Sequence, residues 1–437
     1  MLLARRLLPI ALVVLLTTLG VTAAPAAAPV AAPQGQARYA PVEFSGAGAK
    51  QQVEALGDRI GSRPAGSASY DQAVRYAADQ FRAWGYTPTL QTFAVDSYDD
   101  RGSQVEVTSG SADADGTGTS SLHADTLVYS VGGQVEAPLV AVGLGQTEEF
   151  AATDVHGKIA LIKRGTLRFG EKVANAAAAG ALGAVIYNDL AGRVQGASLG
   201  QAQPIPAAIV ANDDGQRLAD QLAAGAPLMV RLTVDGSIVH GTSTNVVAEL
   251  RGTRADAGSV VIGAHLDTVA AGPGANDDGS GSAVVLELAH TLAQPETGAR
   301  PYGVTFVLFG AEELGLYGSR FYVDSLSDAE RQALRGMLNL DMVGVGDGWR
   351  FGGSDGLVQD ALGAANDLGV RALPLRGPLS SASDHASFMS AGVPALFVYR
   401  TDDPNYHTAN DRAEFVDPNA LGQAGTIVLR VLDAMSF

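Results

Sequence analysis

The sequence predicts an α/β protein: a mixed, mostly parallel central sheet with helices on both faces, carrying a β-rich α/β insert. Three observations carry this. Residues 259–264, 303–309, 337–340 and 393–399 are continuous apolar runs, not alternating ones, the pattern of strands covered on both faces. A helical stretch, 282–292, separates the first two. Between about 127 and 234 the texture changes to short strands and glycine-rich turns.

The totals set the outer limits. A chain of 437 residues suggests two or three domains. At 46% hydrophobic and 17% charged it can bury substantial cores and is not a disordered polymer. The formal charge of −17 argues against nucleic acid or an anionic membrane as partner, because both favour basic surfaces. Arg5 and Arg6 precede an apolar run, 7–16, followed by small residues at Val21-Thr22-Ala23 and Ala26-Ala27-Ala28. That is the pattern of a secretory signal, expected over 1–28, and the run is too short for a membrane span. With no cysteine there is no cysteine-linked lipid anchor and no disulfide. The expected product is secreted and soluble, stabilised by packing and by metal.

Along the chain, 29–47 begins Ala/Pro/Gln-rich and reads as a flexible leader. Tyr70, Val74, Ala77, Phe81 and Trp84 recur at three and four, one face of a helix stopped by Gly85. Residues 96–118 are rich in Ser, Asp and Gly and read as loops and weak strands. "GKIALIKRG" (157–165) reads as a strand and turn, 169–188 as a helix, a glycine stop and a strand, and 205–210 as another strand. The Gly-Lys-Ile-Ala-Leu-Ile, Arg-Gly and Ala-Gly-Ala pieces resemble the protease-associated (PA) domain. The expected division is 127–240 for this insert, with 48–126 and 241–437 forming the main domain around it.

In open α/β sheets ligands bind outside the carboxyl ends of the strands. After the first apolar run come His265 and Asp267, after the second Glu312 and Glu313, after the third Asp341, and after the fourth Tyr406 and His407. Four strands thus end in metal-ligand chemistry. Imidazole and carboxylate suit zinc, manganese or cobalt. The set exceeds what one catalytic zinc needs and fits two metals about 3.5–4 Å apart sharing a carboxylate. Asp277 is the natural bridge, because the Gly-Pro-Gly loop can return it beside His265.

These residues, in "GAHLD", "GPGANDDGSG", "AEELGLYGS", "NLDMVG" and "SDHASF", resemble the co-catalytic dizinc aminopeptidases of the M28 peptidase family, and with the PA insert the secreted Y/S type. "GSRPAGS" (61–67) fits the family's N-terminal region. The resemblance implies a zinc-exopeptidase fold and two Zn2+ per chain, with cobalt or manganese as substitutes. It implies His265 and Asp341 on one ion, Glu313 and His407 on the other, Asp277 on both, and a cis Asp277–Asp278 peptide. Asp267 would take the second N–H of His265, and Ser383 would orient His407 in the same way. A water bridging the dications would attack, Glu312 would carry its proton to the leaving amine, and Tyr406 would stabilise the oxyanion. The expected substrates are peptides or proteins with a free N-terminus.

The blander readings are weaker. Glu312 and Glu313 could be an acidic pair at a helix start, and Asp277 and Asp278 an Asx turn, but neither accounts for His265 or Asp341. His123, His156, His240 and His290 read as surface histidines. His385 belongs to the "SDH" element but is no ligand in relatives. A carboxypeptidase for acidic C-termini would need clustered arginines, and Arg320, Arg350, Arg371, Arg376, Arg400 and Arg412 are scattered. A glutaminyl cyclase-like transferase would use one zinc. A binding module with a structural metal would have no use for Glu312.

Overall fold

The computed structural model describes residues 43–109, 120–194, 197–377 and 382–435. The expected signal segment and most of the expected leader lie outside these. At the first described residues Phe44 is already buried, and the Ser45 hydroxyl accepts the Gly48 N–H to start a helix at Gly46–Glu54. The helix thus starts slightly before residue 48. Among the described residues no helix is long and apolar enough to cross a membrane.

Among the described residues thirteen strands form one continuous sheet. They are β1 (Thr89–Ser109), β2 (Ser120–Thr126), β3 (Gly133–Ala141), β4 (Ile159–Lys163), β5 (Gly183–Tyr187), β6 (Ala207–Val210) and β7 (Met229–Leu250). Then follow β8 (Ser259–His265), β9 (Gly303–Phe309), β10 (Leu334–Leu340), β11 (Trp349–Gly353), β12 (Ala372–Pro374) and β13 (Ala395–Arg400). The C-terminal part runs β7–β9–β8–β10–β13–β11–β12. β8, β9, β10 and β13 are parallel, with Ile262 opposite both Phe306 and Leu338, while β7 and β11 join antiparallel. The four apolar runs are these four parallel strands.

Their burial follows from helices on both sides. The helix Gly279–Leu292 is buried along its length except at His290, which stacks on Trp84. It packs with Ala68–Ala83 and Pro418–Ala434 in a core that includes Tyr70, Phe81, Leu288, Phe306, Leu338 and Ile427. On the opposite face Tyr322 and Phe388, from the helices Tyr317–Ser325 and His385–Ser390, meet Phe309 edge to face at 6.1 Å.

The insert closes on itself, in the order β1–β2–β6–β5–β4–β3–β7 with β7 paired back to β1. The reading of 96–118 as loops and weak strands is corrected here: β1 runs to Ser109, and the later residues 110–119 lie outside the described ones. A register shift between Asp100 and Ser103, with Gly102 at φ 113°, hides the alternation that resumes at Val105 and Val107. A boundary between 126 and 127 also falls at no break in packing. Val105, Val107, Leu122 and Ala124 share a core with Leu161, Val185 and Leu232.

Candidate metal centre

β8, β9, β10 and β13 present their carboxyl ends in one place, and His265 is the last residue of β8. Beyond it the chain leaves the sheet and returns at Asn276-Asp277-Asp278. The return is held by Arg63, whose buried guanidinium donates to the carbonyls of Leu266, Pro273 and Gly274 and to those of Leu56 and Gly61 nearby, at 2.7–3.1 Å. Gly274 sits at φ 58°, and a Cβ there would meet the Thr268 side chain at 2.1 Å. On the other side the Asp411 carboxylate accepts the N–H groups of Asn276 at 2.7 Å and Asp277 at 3.0 Å.

The Asp277–Asp278 peptide is cis, and the two carboxylates have different surroundings. Asp278 accepts three backbone N–H groups, from His265, Gly281 and Met342, and caps the helix that follows. Its oxygens also come close to His265 and Asp341, but the three N–H donors fix its carboxylate to the backbone. Asp277 accepts no backbone donor that would fix it in this way. Its Oδ1 lies 3.1 Å from Nε2 of His265 and its Oδ2 lies 3.0 Å from Nε2 of His407. Asp341 Oδ1 is 3.7 Å from the His265 nitrogen, and Glu313 Oε2 is 3.2 Å from that of His407. The structure therefore brings the five expected ligands into two groups that share Asp277. Glu312 stands beside the first, with Oε2 4.0 Å from His265 Nε2.

Two expected supporting contacts are corrected. Nδ1 of His265 lies 3.0 Å from the backbone carbonyl of Asp267, and the Asp267 carboxylate is 3.9 Å away. The carboxylate instead accepts the N–H groups of Glu312 at 3.0 Å and Glu313 at 3.3 Å, because the chain after β9 turns its N–H groups down onto it. Ser383 does not reach His407; it is buried and accepts a hydrogen bond from Asn339 at 2.8 Å. His407, at φ 56°, is instead covered by the Tyr406 ring, stacked at 3.8 Å. His385 is buried against Phe397. Several arginines weighed for carboxylate binding are engaged elsewhere: Arg400 lies over Trp349 and donates to Gly346, and Arg320 donates to Gly315. Arg63, Asn276, Asp278 and Asp411 were not singled out from sequence as parts of this frame. Asp411 lies on the same loop as His407, the one feature of the sequence that could have marked it.

The charges are crowded. Burial, and then repulsion from Asp384, Asp341 and Glu313, holds the Glu312 carboxyl well above its usual range despite His265. Burial disfavours a charged His407, yet Asp277 and Glu313 outweigh it and hold the imidazole up at about 10. His265 is raised likewise, against burial, by Glu312, Asp277 and Asp341. Burial also disfavours an ionised Asp277, but the two imidazoles keep its carboxyl below the usual range. Glu313 Oε1, Asp341 Oδ1 and His407 Nε2 are buried without a directed hydrogen bond. His407 Nε2 lies at hydrogen-bond distance from two carboxylate oxygens and is aligned with neither. Imidazole and carboxylate donor atoms that converge without directed hydrogen bonds among them fit divalent cations of the zinc type.

Residues 245–432 match peptidase family M28, and residues 135–218 match the PA domain. Aminopeptidase YwaD of Bacillus subtilis is 32% identical over 415 residues, covering 88% of this chain and 84% of that one. Among solved structures, an aminopeptidase from Aneurinibacillus sp. strain AM-1 superposes with a TM-score of 0.80 at 32% identity, covering 89% of this chain and 93% of that one. BSAP, a zinc aminopeptidase from Bacillus subtilis, superposes with a TM-score of 0.67 at 29% identity, covering 90% of this chain and 95% of that one.

Proposed function

This chain belongs to peptidase family M28 and is an aminopeptidase, and on that premise we propose that it is a secreted, co-catalytic two-zinc enzyme. It removes the first residue from peptides or proteins with a free N-terminus. His265 and Asp341 would hold one ion, Glu313 and His407 the other, and Asp277 both. Zinc ions, when bound, supply the Lewis acidity that polarises the scissile carbonyl and makes water nucleophilic near neutral pH.

The remaining steps belong to side chains. Glu312 takes the proton of the attacking water and returns it to the leaving amine, a task suited to a carboxylate that stands beside the His265 group without being one of the proposed ligands. The Asp267 carboxylate keeps the Glu312 backbone in place. The Tyr406 hydroxyl donates to the developing oxyanion. The substrate ammonium is drawn to the same carboxylates that hold the metals. Export follows from the expected signal at 1–28, and a PA-type insert, whose core takes in Val105, Val107, Leu122 and Ala124 together with the later strands, divides the peptidase domain.

The observation that carries this reading is Asp277 reaching His265 with one oxygen and His407 with the other, at 3.1 and 3.0 Å, with Glu312 alongside. The test is a panel of free and N-acetylated aminoacyl reporters, with and without chelator. Free-amine substrates should be cleaved, acetylated ones should not, and chelation should abolish the rate. Equal cleavage of acetylated reporters would refute the aminopeptidase assignment.

A further inference from the structure

We propose that Asn245 is a positioning residue for Glu312, an inference that rests on the reaction proposed above. Asn245 lies in β7 and is fully buried. Its carboxamide touches both ends of the segment that carries the two glutamates. Oδ1 accepts the Gly310 N–H at 3.0 Å, and Nδ2 donates to the Gly318 carbonyl at 2.9 Å. One side chain therefore closes the base of the segment from 310 to 318.

The segment needs such a closure. Ala311 and Leu316 are left-handed at φ 58° and 61°, conformations that non-glycine residues seldom adopt unless the surroundings impose them. The glycines at the two ends mark how closely the clamp is packed. A Cβ on Gly310 would meet the Tyr70 hydroxyl at 2.2 Å, and one on Gly318 would meet Asn245 Oδ1 at 2.4 Å. Asp267 secures the tip of the segment through the Glu312 and Glu313 N–H groups, and Asn245 secures its base. A neutral amide is the side chain that offers one donor and one acceptor at this reach without adding charge beside the buried carboxylates. A general base must stand within hydrogen-bond reach of its proton, and a displacement of about 1 Å costs on the order of 100-fold in rate.

The test uses the zinc-saturated enzyme carrying Asn245→Ala or Asn245→Asp. The aspartate keeps the shape and the Gly310 acceptor, replaces the donor to Gly318 by an acceptor and buries a charge, and serves if the alanine variant does not fold. The expected result is a kcat lower by roughly 10- to 100-fold, with KM and zinc content unchanged. Amide hydrogen exchange should quicken across 310–318 and not across 266–278. Added to Glu312→Gln, the Asn245 change should cost nothing further. A folded Asn245→Asp with normal kcat and normal exchange overturns the proposal, as does a loss explained by missing zinc or one that persists in the Glu312→Gln background. If the unaltered enzyme fails on free-amine reporters, or Glu312→Gln stays active, the reaction assignment fails instead, and the exchange result alone decides whether Asn245 is the clamp.

Discussion

The Asp267 carboxylate accepts the backbone N–H of Glu312 at 3.0 Å. An acid two residues beyond a proposed metal-ligand histidine thus holds the backbone of the proposed general base rather than the imidazole. Asp267→Ala would leave the Glu312 and Glu313 N–H groups without their acceptor, a penalty of about 1–3 kcal/mol per buried group. The expected outcome is a kcat reduced by roughly 10- to 100-fold, with a smaller loss in Asp267→Asn, which keeps one acceptor oxygen. Steady-state kinetics at saturating zinc measure this, and equal activity of Asp267→Ala and the unaltered enzyme would contradict it.

If Asp277 bridges two ions as proposed, metal content should be asymmetric among variants of the proposed ligands. Asp277 faces both His265 and His407, whereas Asp341 approaches His265 alone. Asp277→Ala should therefore lose both zinc ions, and Asp341→Ala one. Elemental analysis after gel filtration reads the stoichiometry directly. Two ions retained by Asp277→Ala would show that it bridges nothing.

Why the ligands were legible from sequence, and their supports were not, follows from what each touches. His265, Glu313, Asp341 and His407 each come after an apolar run, and those runs are the parallel strands β8, β9, β10 and β13. Residue type and strand end together mark such a site. Arg63, Asp278, Asp411 and Asn245 act on backbone N–H and C=O groups, which every residue carries, so their partners leave no trace in sequence. Asp267 departs from its expected role for the same reason, since its partners are main-chain groups 45 and 46 residues further on. The long β1 is not legible in sequence because its pairing with β7 supplies what its own Asp- and Ser-rich sequence does not.

Acid–base behaviour should separate the zinc-free and zinc-loaded proteins. His407 is held up at about 10 by Asp277 and Glu313 in spite of burial. A proton held more tightly in the native than in the unfolded chain stabilises the native state fully below about pH 6.5, and this is lost as pH rises through about 10. Glu312, raised by burial and by Asp384, adds in the same direction. The chelated protein should therefore lose stability across that window. Zinc competes with the same protons, so its affinity should rise with pH over the window, and the loaded protein should show no such loss. Thermal melts of both forms at about pH 6.5, 8 and 9.5 decide this. Parallel pH profiles for the two forms would mean that the imidazoles are not where the metal binds.

Arg63 offers the strongest test of how the bridging loop is built. Its guanidinium makes hydrogen bonds to five carbonyls and no direct contact with a carboxylate, although Asp267, Asp411, Asp278 and Asp277 offset part of the burial that lowers its pKa to about 10. Lysine carries the same charge but has three donors on one nitrogen and cannot span these acceptors. Arg63→Lys should therefore destabilise by at least about 3 kcal/mol, since hydrogen bonds to a charged donor contribute roughly 1.5–3 kcal/mol each. It should also weaken zinc binding, because Leu266, Pro273 and Gly274 lie between His265 and Asp277 and fix their spacing. Denaturant melts give the first quantity, and zinc titration against a competing chelator gives the second. Arg63→Met would separate charge from hydrogen bonding. If charge compensation of the acidic cluster were the dominant role, Arg63→Lys would behave like the unaltered protein and only Arg63→Met would lose zinc; the hydrogen-bonding pattern predicts that both fail.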